Sequence, residues 1–270
     1  MFKSASRLGY QTKYTSPNGG YWYKEDLRGD EALAEVLVST FLRSCHYMTS
    51  KDFVSYYIKH TSVESFDLRT CVSSNFLQKG EQFISFKDLL SLVHLPTENL
   101  VGFDSKIDYI DSVFQQTVGQ SFREELLRLL TLDVMFRNTD RHLSNFGIIL
   151  APNGSIRFAP IFDTGLALGV SEGAYFDLDN LIKGFGYKIK PYELAVSTLS
   201  PYINLNYFQF DVRYFVETVD KNIPKSNLLL GFLNLLVHYY PKDCNNIDTK
   251  IELETVFGEF SRKRFLDDNR

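Results

Sequence analysis

Apolar and polar positions divide the chain into two unequal parts. Over the first 30 residues, short aromatic runs alternate with Gly, Ser and Lys. Ser16-Pro-Asn-Gly-Gly20 is a turn signal between Thr12-Lys-Tyr14 and Tyr21-Trp-Tyr-Lys24, which predicts a β-hairpin. After Gly29-Asp30 the period changes. Leu33, Val36, Leu37, Thr40 and Phe41 recur at i, i+3, i+4, i+7 and i+8, an amphipathic helix with Asp30 as its N-cap. Residues 53–58 and 71–77 read as extended, and from Phe83 onward the chain reads mainly helical. Within that part, 122–136 is apolar around most of its circumference in its second half, as a helix buried in a lobe requires. A polar stretch, 137–145, interrupts the pattern. Two apolar runs then flank Pro152-Asn-Gly-Ser155 and predict a second hairpin. The expectation is an α+β chain of two lobes, a small β-rich lobe with one helix over 1–79 and a larger, mainly helical lobe over 80–270.

Composition narrows the function classes. With 270 residues, 44% of them hydrophobic, the chain can bury a full core. A net charge of −4 argues against a protein that coats nucleic acid, since phosphate binding needs a clustered basic excess. Cys45, Cys71 and Cys244 are odd in number and widely spaced, so neither a disulfide framework nor a zinc knuckle is expected, and a reducing compartment follows. The longest apolar run, 228–237, has ten residues with an Asn inside it. A membrane span needs about 20, so this run reads as a core helix. No signal-peptide run opens the chain. A cytoplasmic location is expected, with secretion or delivery into a host cell left open.

The chemistry concentrates in Asp140-Arg-His-Leu-Ser-Asn145, followed 18 residues later by Asp163. A buried helix, a polar loop with Asp-x₄-Asn, a hairpin and a second Asp is the order kinases use around the phosphoryl-transfer site. A hydroxyl nucleophile needs a carboxylate to accept its proton, a part suited to Asp140. ATP phosphates need Mg²⁺, a hard cation that takes oxygen ligands, here the Asn145 amide and the Asp163 carboxylate. His142 stands where many protein kinases carry a lysine near the γ-phosphate, and an imidazole there could neutralise or position it.

Asn-Thr-Asp-Arg-His-Leu-Ser-Asn-Phe, with Phe158-Ala-Pro-Ile-Phe-Asp163, resembles the catalytic core of HipA-like serine/threonine kinases, which carry a D-x-H-x-x-N-F loop and a P-x-[YF]-D metal motif. The Asp-Arg-His triplet also resembles phosphatidylinositol kinases. Ser6-Arg-Leu-Gly-Tyr-Gln-Thr-Lys13 is similar to the family's phosphate loop, S-x-x-G-x-Q-x-K, whose backbone N–H groups cradle phosphate. The resemblance implies a two-lobed protein-kinase-like fold and an ATP site made of Leu8, Gly9, Tyr10, Gln11, Thr12, Lys13, Lys24, Glu31, His142, Asn145 and Asp163. It places the adenine ring against the connector at Ser74, Asn75 and Phe76. Lys24 would hold the α/β-phosphates. Glu31 or Glu35, four apart on one helical face, would orient it, with Glu31 preferred as the helix-opening glutamate. Ser6 is the candidate for inhibitory autophosphorylation.

The resemblance begins almost at the phosphate loop, so a short form without the additional N-terminal subdomain of HipA toxins is expected. A protein substrate with a Ser/Thr acceptor is implied, and a separate regulatory or antitoxin protein is a further candidate partner. A small-molecule or lipid kinase of the same superfamily stays open, as does a nucleotide-binding pseudokinase that serves as an interaction module.

Overall fold

The computed structural model describes residues 3–5, 13–26, 29–63, 66–95, 100–172, 178–184, 186–224 and 226–243, together with Thr255 and Gly258. Its first part is an antiparallel sheet of five strands: β1 (Lys3–Ala5), β2 (Lys13–Thr15), β3 (Tyr21–Glu25), β4 (Tyr56–Val63) and β5 (Phe66–Ser74), in the order β1-β2-β3-β5-β4. The hairpin expected around Ser16-Pro-Asn-Gly-Gly20 joins β2 to β3, with Lys13 opposite Lys24. Ser16 and Asn18 shape the turn: Ser16 Oγ accepts from the Tyr21 amide and Asn18 Oδ1 from the Gly20 amide. On the other side of β3, Lys24 pairs with Cys71.

Helix α1 (Glu31–Ser44) follows the hairpin, and every residue of it except Arg43 is buried. An amphipathic stripe alone would leave one face wet. Here the helix lies between the sheet and the helices α7 (Val212–Asn222) and α8 (Asn227–Asp243), so both faces are covered. Its N-terminus differs from expectation. Asp30 makes no side-chain capping bond, and Asp26 Oδ1 accepts from the Gly29 and Glu31 amides instead.

A linker over 75–81 leads into the second part. Against the expectation of helix from Phe83, the chain first forms β6 (Gln82–Ser85), which pairs with β7 (Gly147–Leu150). The β7 strand pairs in turn with β8 (Ile156–Phe158), the second expected hairpin. A four-residue strand is too short for its periodicity to stand out beside the helix that follows it. Ser85 then opens α2 (Phe86–Leu90) with a reciprocal capping box to Asp88. Helices α3 (Gly102–Val118) and α4 (Arg123–Met135) complete the frame, and buried Asp111 of α3 accepts from the Phe122 amide at the start of α4. Beyond the hairpin come the short α5 (Leu178–Lys183), the β9 (Lys188–Ile189) and β10 (Leu194–Ala195) pair, and α6 (Val196–Leu199).

One aromatic cluster joins the two parts. Phe41, near the end of α1, meets Phe136 edge-on with ring centroids 5.2 Å apart, and it also touches Phe210, Phe215 and Phe232. Phe136 closes α4 and stacks on Phe232 of α8 at 4.5 Å. The polar loop at 137–145 therefore starts from an anchored residue. No helix among the described residues is long and apolar enough to cross a membrane.

Candidate active site

Lys24 is the centre of the site. The β3–β5 register places it over buried Cys71, with its Nζ 2.7 Å from Glu35 Oε1 and 2.7 Å from Asp163 Oδ1. The Tyr56 ring lies beneath it, 5.2 Å from the ammonium to the ring centroid. Burial opposes the charge on Lys24, but Asp163 and Glu35 outweigh it and its ammonium titrates well above the usual lysine range. Burial likewise works against the charge on Asp163. Lys24, Lys13 and Arg141 overcome it and hold this carboxyl well below the usual carboxylate range.

The partner of Lys24 is thus Glu35, which corrects the preference for Glu31. Glu31 stands in the first turn of α1, where its amide is tied to Asp26. Glu35, one turn deeper, points across to the start of the segment after Asp163. Its second oxygen accepts from the Thr164 amide at 3.0 Å and the Thr164 hydroxyl at 2.9 Å. The carboxylate that reaches both elements is the one a full turn inside the helix.

Asp163 itself has φ +60, left-handed backbone that a non-glycine residue adopts only where its surroundings hold it. The holding contacts are visible. Its amide donates to the Tyr56 hydroxyl at 3.3 Å, and Thr164 is fixed by Glu35. Lys13 approaches its second oxygen at 3.9 Å.

The loop at 137–145 is organised by Arg141, a residue that reads as a surface charge when the loop is taken alone. It is fully buried. Its Nε and Nη2 each donate at 3.0 Å to the two oxygens of Asp133 on α4, a bidentate pair. Its Nη1 donates to the Asn145 carbonyl at 3.1 Å and to the Phe162 carbonyl. One guanidinium therefore binds α4, the end of the loop and the residue before Asp163. Asn138 Nδ2 donates to Asp133 at 2.7 Å and supports the same carboxylate. Burial raises the Asp133 carboxyl, with Arg141 and Asn138 pulling it back down.

Within the loop, Asn145 is buried and its Nδ2 donates to the Asp140 carbonyl at 3.2 Å. The Asp140 carboxylate is partly exposed, and Lys190 Nζ lies 3.5 Å from its Oδ1. His142 is exposed, and its Nδ1 accepts from the Ser144 amide at 3.3 Å.

At the connector, Ser74 ends β5. Asn75 is spent on the β2–β3 turn, donating from its amide to the Gly20 carbonyl at 2.9 Å and from its side chain to the Gly19 carbonyl at 3.2 Å. Phe76 stacks on Phe162 at 5.4 Å, so the connector also touches the residue before Asp163. Ser6, Leu8, Gly9, Tyr10, Gln11 and Thr12 lie outside the described residues.

The structure therefore brings Lys13, Lys24, Glu35 and Asp163 together, and it joins Asp140 and Asn145 to Asp163 through Arg141. Sequence reasoning missed Tyr56 and Thr164. Neither carries a charge, and each matters through a backbone contact that spacing does not reveal. The Arg141–Asp133 pair had a faint signal: Asp133 is a carboxylate in the mainly apolar second half of α4, where it needs a buried partner.

A family model described as the HipA-like C-terminal domain matches residues 17–183. Among solved structures, the Helicobacter pylori proinflammatory kinase CtkA is similar at 14% identity and a TM-score of 0.59, over 97% of this chain and 93% of that one. That likeness shows the fold. The apo form of a thermostable mutant of aminoglycoside phosphotransferase APH(4)-Ia matches at 11% identity over 97% and 94% of the two chains, with a TM-score of 0.29, too low to bear on the fold. No curated protein sequence matches.

Proposed function

The chain belongs to the family of HipA-like C-terminal domains and has a kinase fold, and on that premise we propose that it is an ATP- and Mg²⁺-dependent kinase that phosphorylates serine or threonine in a protein. One observation carries the reading: Lys24 is held at 2.7 Å by both Glu35 and Asp163, with the Asp140–Asn145 loop clasped to the residue before Asp163 by Arg141. This is the arrangement of a lysine for the α/β-phosphates, a carboxylate for the metal and a base for the acceptor.

The donor set suits Mg²⁺. Asp163 is held anionic, and Asn145 commits its amide nitrogen to the Asp140 carbonyl, which leaves its side-chain oxygen as the donor toward a cation. Among the described residues no cluster of three or more His, Cys, Asp or Glu could hold a metal. Mg²⁺ would take the Asp163 carboxylate and the Asn145 amide oxygen, and otherwise water and phosphate oxygens. When bound, Mg²⁺ would neutralise phosphate charge. The chain's own part is then positional. Lys24 binds phosphate oxygens, Asp140 orients the acceptor hydroxyl and takes its proton, and Arg141 keeps both loops in register.

The test is incubation with γ-labelled ATP and Mg²⁺, with casein as acceptor, beside Asp140→Asn. Loss of a general base is expected to cost about 10²–10⁴-fold in turnover. Transfer confined to lipid or a small metabolite would sink the protein-kinase reading. Nucleotide binding with no transfer to any acceptor would turn the site into a binding module. Ser6 is tested separately by intact mass after incubation with ATP, where Ser6→Ala should lose one phosphate relative to wild type.

A further inference from the structure

Lys190 lies past the end of the segment 17–183 that the family model matches and outside every motif described above, yet it meets Asp140 at 3.5 Å across fifty positions of sequence. The turn that carries it is held firmly. It links β9 to β10, and the Glu193 amide donates to the Ile189 carbonyl at 2.9 Å. Tyr192 is buried, with its ring 5.3 Å from that of Phe103 on α3 and its carbonyl accepting from Lys106 Nζ. Pro191 walls a cavity of about 330 Å³ together with Phe86 of α2 and Leu143 of the catalytic loop. Lys190 is therefore delivered to Asp140 by a turn packed on the loop's own neighbour.

Stability does not account for the pair. The side chains are 44% and 37% exposed, and an ion pair so open to water contributes little to stability. The other cations near the site are committed. Lys13 and Lys24 serve Asp163, and Arg141 serves Asp133 and two carbonyls. His142 is exposed, and its Nδ1 is taken up by the Ser144 amide. Among the described residues, Lys190 is the cation that stands at the Asp140 carboxylate.

We propose that Lys190 is a further residue of the transfer site, resting on the kinase reading above. Its ammonium holds the Asp140 carboxylate toward the acceptor hydroxyl and meets the non-bridging oxygens of the phosphoryl group in transit. It thus takes the part that sequence position suggested for His142. In this step the acceptor oxygen bonds to the γ-phosphorus and the bond from that phosphorus to the β–γ bridging oxygen breaks. The hydroxyl proton passes to Asp140, and ADP leaves with the bridging electron pair. Lys190 stays protonated and transfers nothing. A fixed charge aimed at a transition state acts on turnover more than on ground-state binding.

The experiment compares wild type, Lys190→Met, Lys190→Arg, His142→Ala and Asp140→Asn in kcat and KM for ATP with casein as acceptor. It adds equilibrium binding of ADP with and without aluminium fluoride, a mimic of the phosphoryl group in flight, and a melting temperature for each variant. Lys190→Met should lower kcat about 10²-fold. It should leave KM for ATP and ADP affinity within about twofold and lose the extra affinity that aluminium fluoride confers. Lys190→Arg should recover most of kcat, and His142→Ala should fall by less than Lys190→Met. A structural role would instead lower melting temperature and ADP binding along with kcat, and that result overturns the proposal. So does wild-type kcat in Lys190→Met, or a larger loss in His142→Ala. If wild type transfers no phosphate while binding ADP, the kinase reading itself falls and this role falls with it. If wild type is active and Asp140→Asn is dead, the kinase reading stands whatever Lys190 does.

Discussion

Replacing Arg141 with methionine probes the joint on which the site depends. Met matches the length of the stem but carries no charge, so the change leaves Asp133 buried with Asn138 as its remaining side-chain partner. Breaking a buried pair by removing one member typically costs about 3–5 kcal/mol, because a charge is left uncompensated. At about 2–4 °C per kcal/mol for a chain of this size, the melting temperature should fall by roughly 6–20 °C. The pH dependence has a definite sign. Burial already raises the Asp133 carboxyl and Arg141 opposes that, so the variant raises it further. A carboxyl raised in the folded state penalises folding when it must be charged, and the penalty shrinks as it is protonated. The deficit of Arg141→Met against wild type should therefore narrow as the pH falls from neutral toward the carboxylate range. Asp133→Leu/Arg141→Met removes both charges and should recover most of the lost stability, though not activity, since the Asn145 and Phe162 carbonyls stay untied. Thermal melts of wild type, both single variants and the double, between pH 5 and 8, give the answer. Additive single losses, or a deficit in Arg141→Met that grows on acidification, would refute the reasoning.

Three other outcomes follow from the same geometry. Asp163 is depressed in the folded state, so it contributes stability above the ordinary carboxylate range of about 4 and loses it as the pH falls below that. In Asp163→Asn, acid melts should show a flatter decline over that range than in wild type. Tyr56→Phe keeps the ring under Lys24 but removes the acceptor for the Asp163 amide, worth about 1 kcal/mol. It should change the melting temperature by only a few degrees while lowering turnover in the proposed kinase reaction. In Gly147→Ala the new Cβ would run into the Ile84 carbonyl oxygen and the Ser85 Cα across the β6–β7 pair, so a loss of about 3 kcal/mol in a denaturant titration is expected.

The elements written in period and turn chemistry were legible from sequence. Both hairpins, α1, α4 and the core helix over 228–237 stand where apolar spacing put them, because each is fixed by local pattern. The short β6 was hidden, since four residues before a helix carry too little alternation and its existence depends on β7, sixty residues away. The loop with Asp140 and Asn145 was visible as a motif. Its architecture was not, because Arg141 in isolation looks like a surface charge until α4 supplies Asp133. The choice of Glu35 over Glu31 likewise depends on how deep the helix sits, which spacing on one face does not record.

The burial of α1 has a consequence for how such an enzyme could be switched. In a kinase whose glutamate helix rests on the surface, that helix can rotate outward and uncouple the lysine. Here the helix bearing Glu35 carries Leu33, Leu37 and Phe41 fully buried, and Phe41 is wedged among Phe136, Phe210 and Phe232. Swinging Glu35 away would open the aromatic cluster that also anchors the start of the catalytic loop. In the proposed kinase the Lys24–Glu35 contact is thus tied to the core, so control of activity would fall to the loops around Lys24 and Asp140 rather than to this helix.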